Sequence, residues 1–193
     1  MNTANKNLRS PAADTQPMAL DESAIDAARH SLDQGAVTPS SGPWRDDIVK
    51  LLNDSLATEL VCVLRYRRHH FTAQGLASSP IADEFLVHAN EELGHADRLA
   101  RRIVQLGGEP DFAPNSLAGR SHAQYIAGTT LVDMIREDLV AERIAIDSYR
   151  DMVRYLGDQD PTTSTLLKKI LAVEEEHADE LADLLEGMPS QSV

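Results

Sequence analysis

Residues 174–182 read EEEHADELA, and residues 91–100 carry a near copy, EELGHADRLA. In each, a Glu stands three residues before a His, and the His opens the run His-Ala-Asp-x-Leu-Ala. In register, Glu92 pairs with Glu174 and His95 with His177, each 82 residues apart (174 − 92, 177 − 95). The segments upstream align as well: LATELVCVLRY (56–66) with LVAERIAIDSY (139–149). Glu59 then pairs with Glu142 and Tyr66 with Tyr149, each 83 apart (142 − 59, 149 − 66). The chain is written in two halves, each with one Glu on a first segment and Glu-x-x-His on a second.

Outward from these phrases the pattern is helical. Ile48, Leu51, Leu52, Leu56, Leu60 and Val63 recur at three- and four-residue steps. They predict a helix from Trp44 to about Ala73, with Gly75 beyond it. A second is expected to follow Pro80 and to stop at Gly107-Gly108. Thr129 or Thr130 is expected to cap a third that ends at Gly157. Asp160-Pro161 opens a fourth, with Pro at its first position, which runs to Leu185 and closes at Gly187. The middle connection, 109–128, contains Pro110, Pro114 and Gly119, and SHAQYI (121–126) is expected to add one or two helical turns. Short links make antiparallel neighbours, and one long link can cross a bundle end to end. The expected fold is all-α: a four-helix bundle over 44–187 with one long crossover. Before it, 1–43 reads as a flexible tail (1–19), an extra short helix capped by Asp21 and ended by Gly35, and the turn-rich VTPSSGP (37–43). Residues 188–193 read as a polar C-terminal tail.

The spacing of the repeated phrases has a physical reason. Residues i and i+3 share one helix face, so Glu92 with His95, and Glu174 with His177, can point together into the bundle. Glu59 and Glu142 lie among apolar neighbours on the partner helices. An unpaired carboxylate buried there costs several kcal/mol, on the order of its desolvation penalty. Four converging carboxylates also raise one another's pKa values. Two divalent cations remove both problems, and four carboxylates with two imidazoles are the donor set of dimetal helical bundles. Oxygen and nitrogen donors without thiolate suit iron or manganese. A single Glu-x-x-His in a Glu-rich chain is a weak signal; two, each following a core-facing Glu at matched spacing, are a strong one.

Composition narrows the alternatives. The 193 residues carry a formal charge of −13, which repels phosphates and disfavours nucleic-acid binding. Lys6 and Arg9 are too sparse for a DNA-binding arm. Cys62 is the single cysteine, so no disulfide framework or cysteine-rich zinc site exists, in keeping with a reducing cytoplasm. No apolar run reaches membrane-span or signal-peptide length. A soluble cytoplasmic protein without membrane contact is expected.

At Glu59, Glu92-Leu-Gly-His95, Glu142 and Glu174-Glu-Glu-His177 the sequence resembles the bacterioferritin branch of the ferritin-like superfamily, over about residues 45–186. The resemblance implies a ferroxidase centre within one subunit. Glu59 and His95 would hold one iron, Glu142 and His177 the other, and Glu92 and Glu174 would bridge them. It implies two iron ions per subunit, with manganese or zinc able to substitute. Fe(II) would be oxidised by O₂ or H₂O₂ and stored as Fe(III) mineral inside a hollow homo-oligomer. Tyr66 matches a family tyrosine beside the centre, as a donor of a hydrogen bond or an electron; a plain core tyrosine is the other reading. Where bacterioferritins carry a haem-ligating methionine this chain has Leu93, so no haem is expected. The short tail MPSQSV lacks the fifth helix of 24-subunit shells, which favours a 12-mer over a 24-mer or a dimer. A dimanganese or di-iron peroxide-detoxifying enzyme and a DNA-protecting miniferritin are the competing functions.

Other residues read as structural. Cys62 reads as a small core residue, His69 and His70 as surface histidines, and Glu91 as an ordinary surface Glu. His30, His88 and His122 show no partner pattern. Asp138, one turn before Glu142, either accepts a hydrogen bond from a ligand histidine or is a solvated helix-surface Asp.

Overall fold

The computed structural model describes residues 19–33, 35–74 and 78–188. Six helices appear among them, in the order α1 (Glu22–Arg29), α2 (Arg45–Thr72), α3 (Ser78–Gln105), α4 (Leu117–Arg120), α5 (Leu131–Leu156) and α6 (Pro161–Glu186). The flexible tail expected over 1–19, with Lys6 and Arg9, lies outside the described residues apart from Ala19. So do Gly75 and the C-terminal tail after Met188.

Local chemistry sets the helix ends. Asp21 caps α1 by accepting from Ala24 N, as expected. That helix ends at Arg29 rather than Gly35, because its short apolar pattern gives it no buried face. Thr130 caps α5 in a reciprocal capping box with Asp133, and Asp160 caps α6 ahead of Pro161. At the end of α3, Gly107 adopts φ +77°. There Gly108 N–H donates to Ile103 O and Gly107 N–H to Val104 O, both at 2.9 Å. This is the left-handed stop that glycine permits at no steric cost. α3 starts at Ser78, before Pro80; a proline within the first turn lacks only a hydrogen that would have no helical acceptor.

Two apolar clusters fix the helix directions. One joins Ile48, Leu52 and Leu56 of α2 with Leu99 and Ile103 of α3, Met152 and Leu156 of α5, and Leu167 and Ile170 of α6. The other joins Cys62 and Tyr66, Ile81 and Phe85, Met134 and Ile135, and Leu181. The start of α2 therefore lies with the end of α3, the end of α5 and the start of α6. Helices α2 and α3 run antiparallel, as do α5 and α6, and the 106–130 connection spans the bundle lengthwise. Between the clusters lies the band of repeated spacing, Glu59, Glu92, His95, Glu142, Glu174 and His177, all buried.

The crossover is tied down along α2. Asn53 Oδ1 accepts from Asp111 N at 2.8 Å, and Thr58 Oγ1 accepts from His122 N at 2.9 Å. Arg65 Nη1 donates to Gln124 O at 3.2 Å, and Arg68 donates to Ala127 O. One helical turn forms within this strap, at Leu117–Arg120 and upstream of the expected site; 121–126 forms no helix and bends at His122–Ala123. His69 is completely buried, a correction to its reading as a surface residue: its Nε2 meets Ala127 O at 2.9 Å. Asp138 is likewise buried, and neither sequence reading of it stands. It binds Arg65 Nε at 2.7 Å and His69 Nδ1 at 2.8 Å, not a residue of the central band. His70, half-buried, meets Ala82 O. No helix among the described residues is long and apolar enough to cross a membrane.

Asp138→Ala strands the Arg65 charge in the core. Denaturant unfolding is expected to show a loss of about 3–5 kcal/mol, against less than about 1 kcal/mol for Asp151→Ala, whose pair with Arg154 is exposed.

Candidate metal centre

Each helix of the bundle sends one part of the band inward. Glu59 stands on α2 between Leu56 and Cys62, and Glu142 on α5 between Ala141 and Ala145, where only burial is available. Glu92 and His95 come from one face of α3, Glu174 and His177 from one face of α6. Their atoms interleave. His95 Nδ1 lies 2.7 Å from Glu174 Oε1, 3.4 Å from Glu59 Oε2 and 3.5 Å from Glu92 Oε2. His177 Nδ1 lies 3.3 Å from Glu92 Oε1, 3.7 Å from Glu174 Oε2 and 3.9 Å from Glu142 Oε2. The result is two overlapping groups of four, Glu59–Glu92–His95–Glu174 and Glu92–Glu142–Glu174–His177. In each, the ligand-type atoms lie within 4.8 Å of one another. Glu92 and Glu174 belong to both.

These atoms converge without satisfying each other. Glu59 Oε2, Glu92 Oε1, both Glu174 oxygens, both His95 nitrogens and His177 Nδ1 have no hydrogen-bond partner of acceptable geometry. Even the 2.7 Å approach of His95 to Glu174 is wrongly aimed for one. Buried polar atoms are otherwise paired almost without exception. A cluster of unpaired oxygens and nitrogens facing two common points fits a pair of cations, and its lack of thiolate fits oxygen- and nitrogen-seeking ones.

The outer carboxylates are held crosswise. Tyr66 on α2 donates to Glu142 on α5, and Tyr149 on α5 donates to Glu59 on α2. Each half's tyrosine thus orients the other half's glutamate. The sequence places Tyr66 beside the centre; Tyr149, noted there only as its repeat mate, has an equivalent bond. Glu91 is a second omission. Its Oε2 lies 2.8 Å from His177 Nε2, so it fixes that ring with Nδ1 turned to the centre. Nothing in the repeat signals this, since Val173 stands at the matching place. His88 is buried, with its ring stacked on that of His177 at 4.0 Å. Cys62 is a buried core residue, as expected, and Glu175 turns away to pair with Arg150.

The ferritin-like domain profile matches residues 49–190. The chain belongs to the ferritin-like family. It is 29% identical to a bacterioferritin of Mycobacterium avium over 148 residues, 76% of this chain and 89% of that one. It is 30% identical to a "DNA protection during starvation protein" of Pyrococcus furiosus over 150 residues, 75% and 80% of the two chains. Among solved structures, a dodecameric, bacterioferritin-related thioferritin of Bacteroides fragilis superposes with a TM-score of 0.71 at 27% identity. That match covers 86% of this chain and 94% of that one.

In this ferritin-like core the six central groups share protons instead of all being charged. Burial, then the charge of Glu92, pushes Glu59 up to about 8. Burial and the charges of Glu92 and Glu174 push Glu142 well above the carboxylate range. For Glu92 and Glu174, burial and a neighbouring carboxylate act upward, but contacts with the histidines (and, for Glu92, with protonated Glu59) prevail and hold both low. Burial acts to lower His95 and His177, and their carboxylate contacts outweigh it, raising them to about 12 and about 11. The metal-free centre thus favours protons on the two imidazoles and on Glu59 and Glu142, and ionised carboxylates at Glu92 and Glu174.

The signs give a pH dependence. The raised groups bind more protons folded than unfolded, so their stabilisation is complete below their unfolded values and fades as pH rises through the folded ones. Glu92 and Glu174 contribute above about 4.5 and are lost below it. Through these groups, metal-free protein is expected to melt highest near pH 4.5 and progressively lower as pH rises from about 5 to 9. Metal replaces the protons, so loading the pair near pH 7 should release about four per chain, read by pH indicator in weak buffer. Release of fewer than about one would contradict this proton arrangement.

Proposed function

We propose that this chain is an iron-storing ferroxidase, with Fe(II) as substrate and Fe(III) as stored product. The observation that carries the reading is the pair of overlapping four-ligand groups with two shared carboxylates. Glu59 and His95 bind one iron, Glu142 and His177 the other, and Glu92 and Glu174 bridge them, giving two ions per chain. Manganese and zinc accept the same donors and can occupy the centre. Likeness at 29% to a bacterioferritin over three quarters of the chain supports the activity.

The protein's part is geometry and charge. The unpaired oxygens and imidazole nitrogens are already aimed inward, so binding costs little rearrangement. Tyr66 and Tyr149 hold the outer carboxylates at fixed angles. Glu91 holds His177 in one tautomer. The bound pair supplies two electrons. These reduce one O₂ to H₂O₂, or one H₂O₂ to two waters, with two protons consumed. Carboxylate ligands favour the higher-charged Fe(III) electrostatically. Leu93 offers no donor atom at the position where bacterioferritins ligate haem, and no haem enters this scheme.

The product is stored inside a cytoplasmic homo-oligomer, for which twelve subunits is favoured over 24 or two. The likeness to the dodecameric relative, which covers nearly all of that chain, supports it. The name of the Pyrococcus relative raises DNA protection as a second reading, but a formal charge of −13 opposes phosphate binding.

Oxygen uptake on adding Fe(II) tests the reading. Glu92→Ala, which removes a bridge from both groups, is expected to slow the fast phase by about 10²-fold or more; equal rates would refute it. Tyr66→Phe keeps the ring and frees Glu142, and is expected to slow oxidation by about tenfold. Native mass measurement is expected to give a dodecamer, and low-salt gel shift no DNA complex.

A further inference from the structure

The metal-facing side of α3 does not end at Glu92. Four residues earlier stands His88, and four before that Glu84; on α6, Glu180 follows His177 by three. The fold gathers these residues, with their ligand-type atoms within 4.8 Å of one another. His88 Nε2 is 2.9 Å from Glu180 Oε2 and 3.5 Å from Glu84 Oε1. The imidazole is wholly buried, while the carboxylates are 54% and 39% exposed. One side of the cluster therefore meets solvent and the other meets the core.

The hydrogens around His88 decide what this cluster needs. Tyr66 has one hydroxyl hydrogen and gives it to Glu142. His88 Nδ1 stands 3.2 Å from the same hydroxyl oxygen, so wherever Glu142 accepts from Tyr66 the hydrogen in that contact comes from Nδ1. A neutral imidazole has only one ring hydrogen. Nε2 then directs a lone pair toward two carboxylates, an arrangement of acceptors that requires something positive among them. A second ring proton or a metal cation would serve.

The internal repeat argues against a packing role. At the 82-residue offset, Glu84, His88 and Glu180 correspond to Leu166, Ile170 and Arg98. Ile170 is completely buried in the apolar cluster of the other half. The bundle fills that position with hydrocarbon where no other demand exists, and here it has imidazole between two acids.

We propose that Glu84, His88 and Glu180 form a third cation site, for a divalent ion that accepts carboxylate oxygen and imidazole nitrogen. It is built from residues outside the central six, which supply only its setting. The His88 ring lies against that of His177 and bonds to Tyr66. A cation at Nε2 is thus separated from the central pair by one aromatic layer, on the solvent side.

Cobalt(II) titrated without oxygen into metal-free full-length protein tests this, with bound metal counted after dialysis. Wild type is expected to hold about three ions per chain. The double variant Glu84→Gln/Glu180→Gln changes only exposed side chains and is expected to fold normally, hold about two, and lose none of the central pair. Glu92→Ala is expected to weaken the pair and keep the third ion. Two ions in wild type would overturn the proposal and leave the central pair intact, a ring proton then serving at Nε2. A third ion that survives in the double variant would overturn it as an adventitious ion only. No ion in wild type would refute both readings.

Discussion

Four carboxylates and two imidazoles sit inside a bundle whose other interior residues are mostly hydrocarbon, and no water-exposed route satisfies them. Left charged and unpaired, each carboxylate would cost several kcal/mol, on the order of the whole stability of a domain when summed. The two apolar clusters, one at each end, hold the four helices closely enough that the band cannot escape to solvent. Positive charge must therefore come to the band. Protons provide it in one state, and bound metal cations provide it in the other. The fold is stable enough to impose the conflict, and metal affinity is how the conflict is relieved.

The duplicated sequence makes the centre a shared object. Neither half closes a four-ligand group alone: each group takes a carboxylate from the opposite half's second helix. The tyrosines extend the exchange to the supporting hydrogen bonds, Tyr66 serving Glu142 and Tyr149 serving Glu59. Anything that shifts one hairpin against the other moves ligands of both groups together. The ties from α2 to the crossover and the buried Arg65–Asp138–His69 group resist that motion at one end.

The sequence made the central band legible because its logic is local: i, i+3 spacing on a helix, repeated at a constant offset. Helix ends were legible where a cap is a single residue, as at Thr130, Asp160 and Gly107. What it left unread was tertiary. His69 and Asp138 look like surface residues within polar stretches, and only the crossover path and Arg65 bury them. Glu91 and His88 carry no repeat mate, so the comparison that picked out the six candidate ligands passed over their nearest supports. The helical turn at Leu117–Arg120 depends on Arg120 reaching Asn53 O at 2.6 Å, a long-range bond that no local pattern announces.

Those same unmatched residues give the centre a direction. On the side of Glu92 and His177 the surroundings are Glu91, Glu84 and Glu180, polar and partly exposed, with the buried imidazole of His88 among them. On the matching side of Glu174 and His95 they are Val173, Ile170, Leu166 and Arg98, apolar or basic. A perfectly duplicated bundle would offer a cation two equal approaches, each equally hydrophobic. Here one approach carries negative charge and lone pairs, and the other is closed by hydrocarbon and a cation of its own. Since the sign of the groups around a buried centre governs the field a divalent ion meets, the departures from the repeat, not the repeat, give the two sides of the centre unlike charge. EEEHADELA and EELGHADRLA bring their inward Glu and His groups to one place, and the residues by which they differ, Glu180 against Arg98 above all, give the two sides of that place opposite charge.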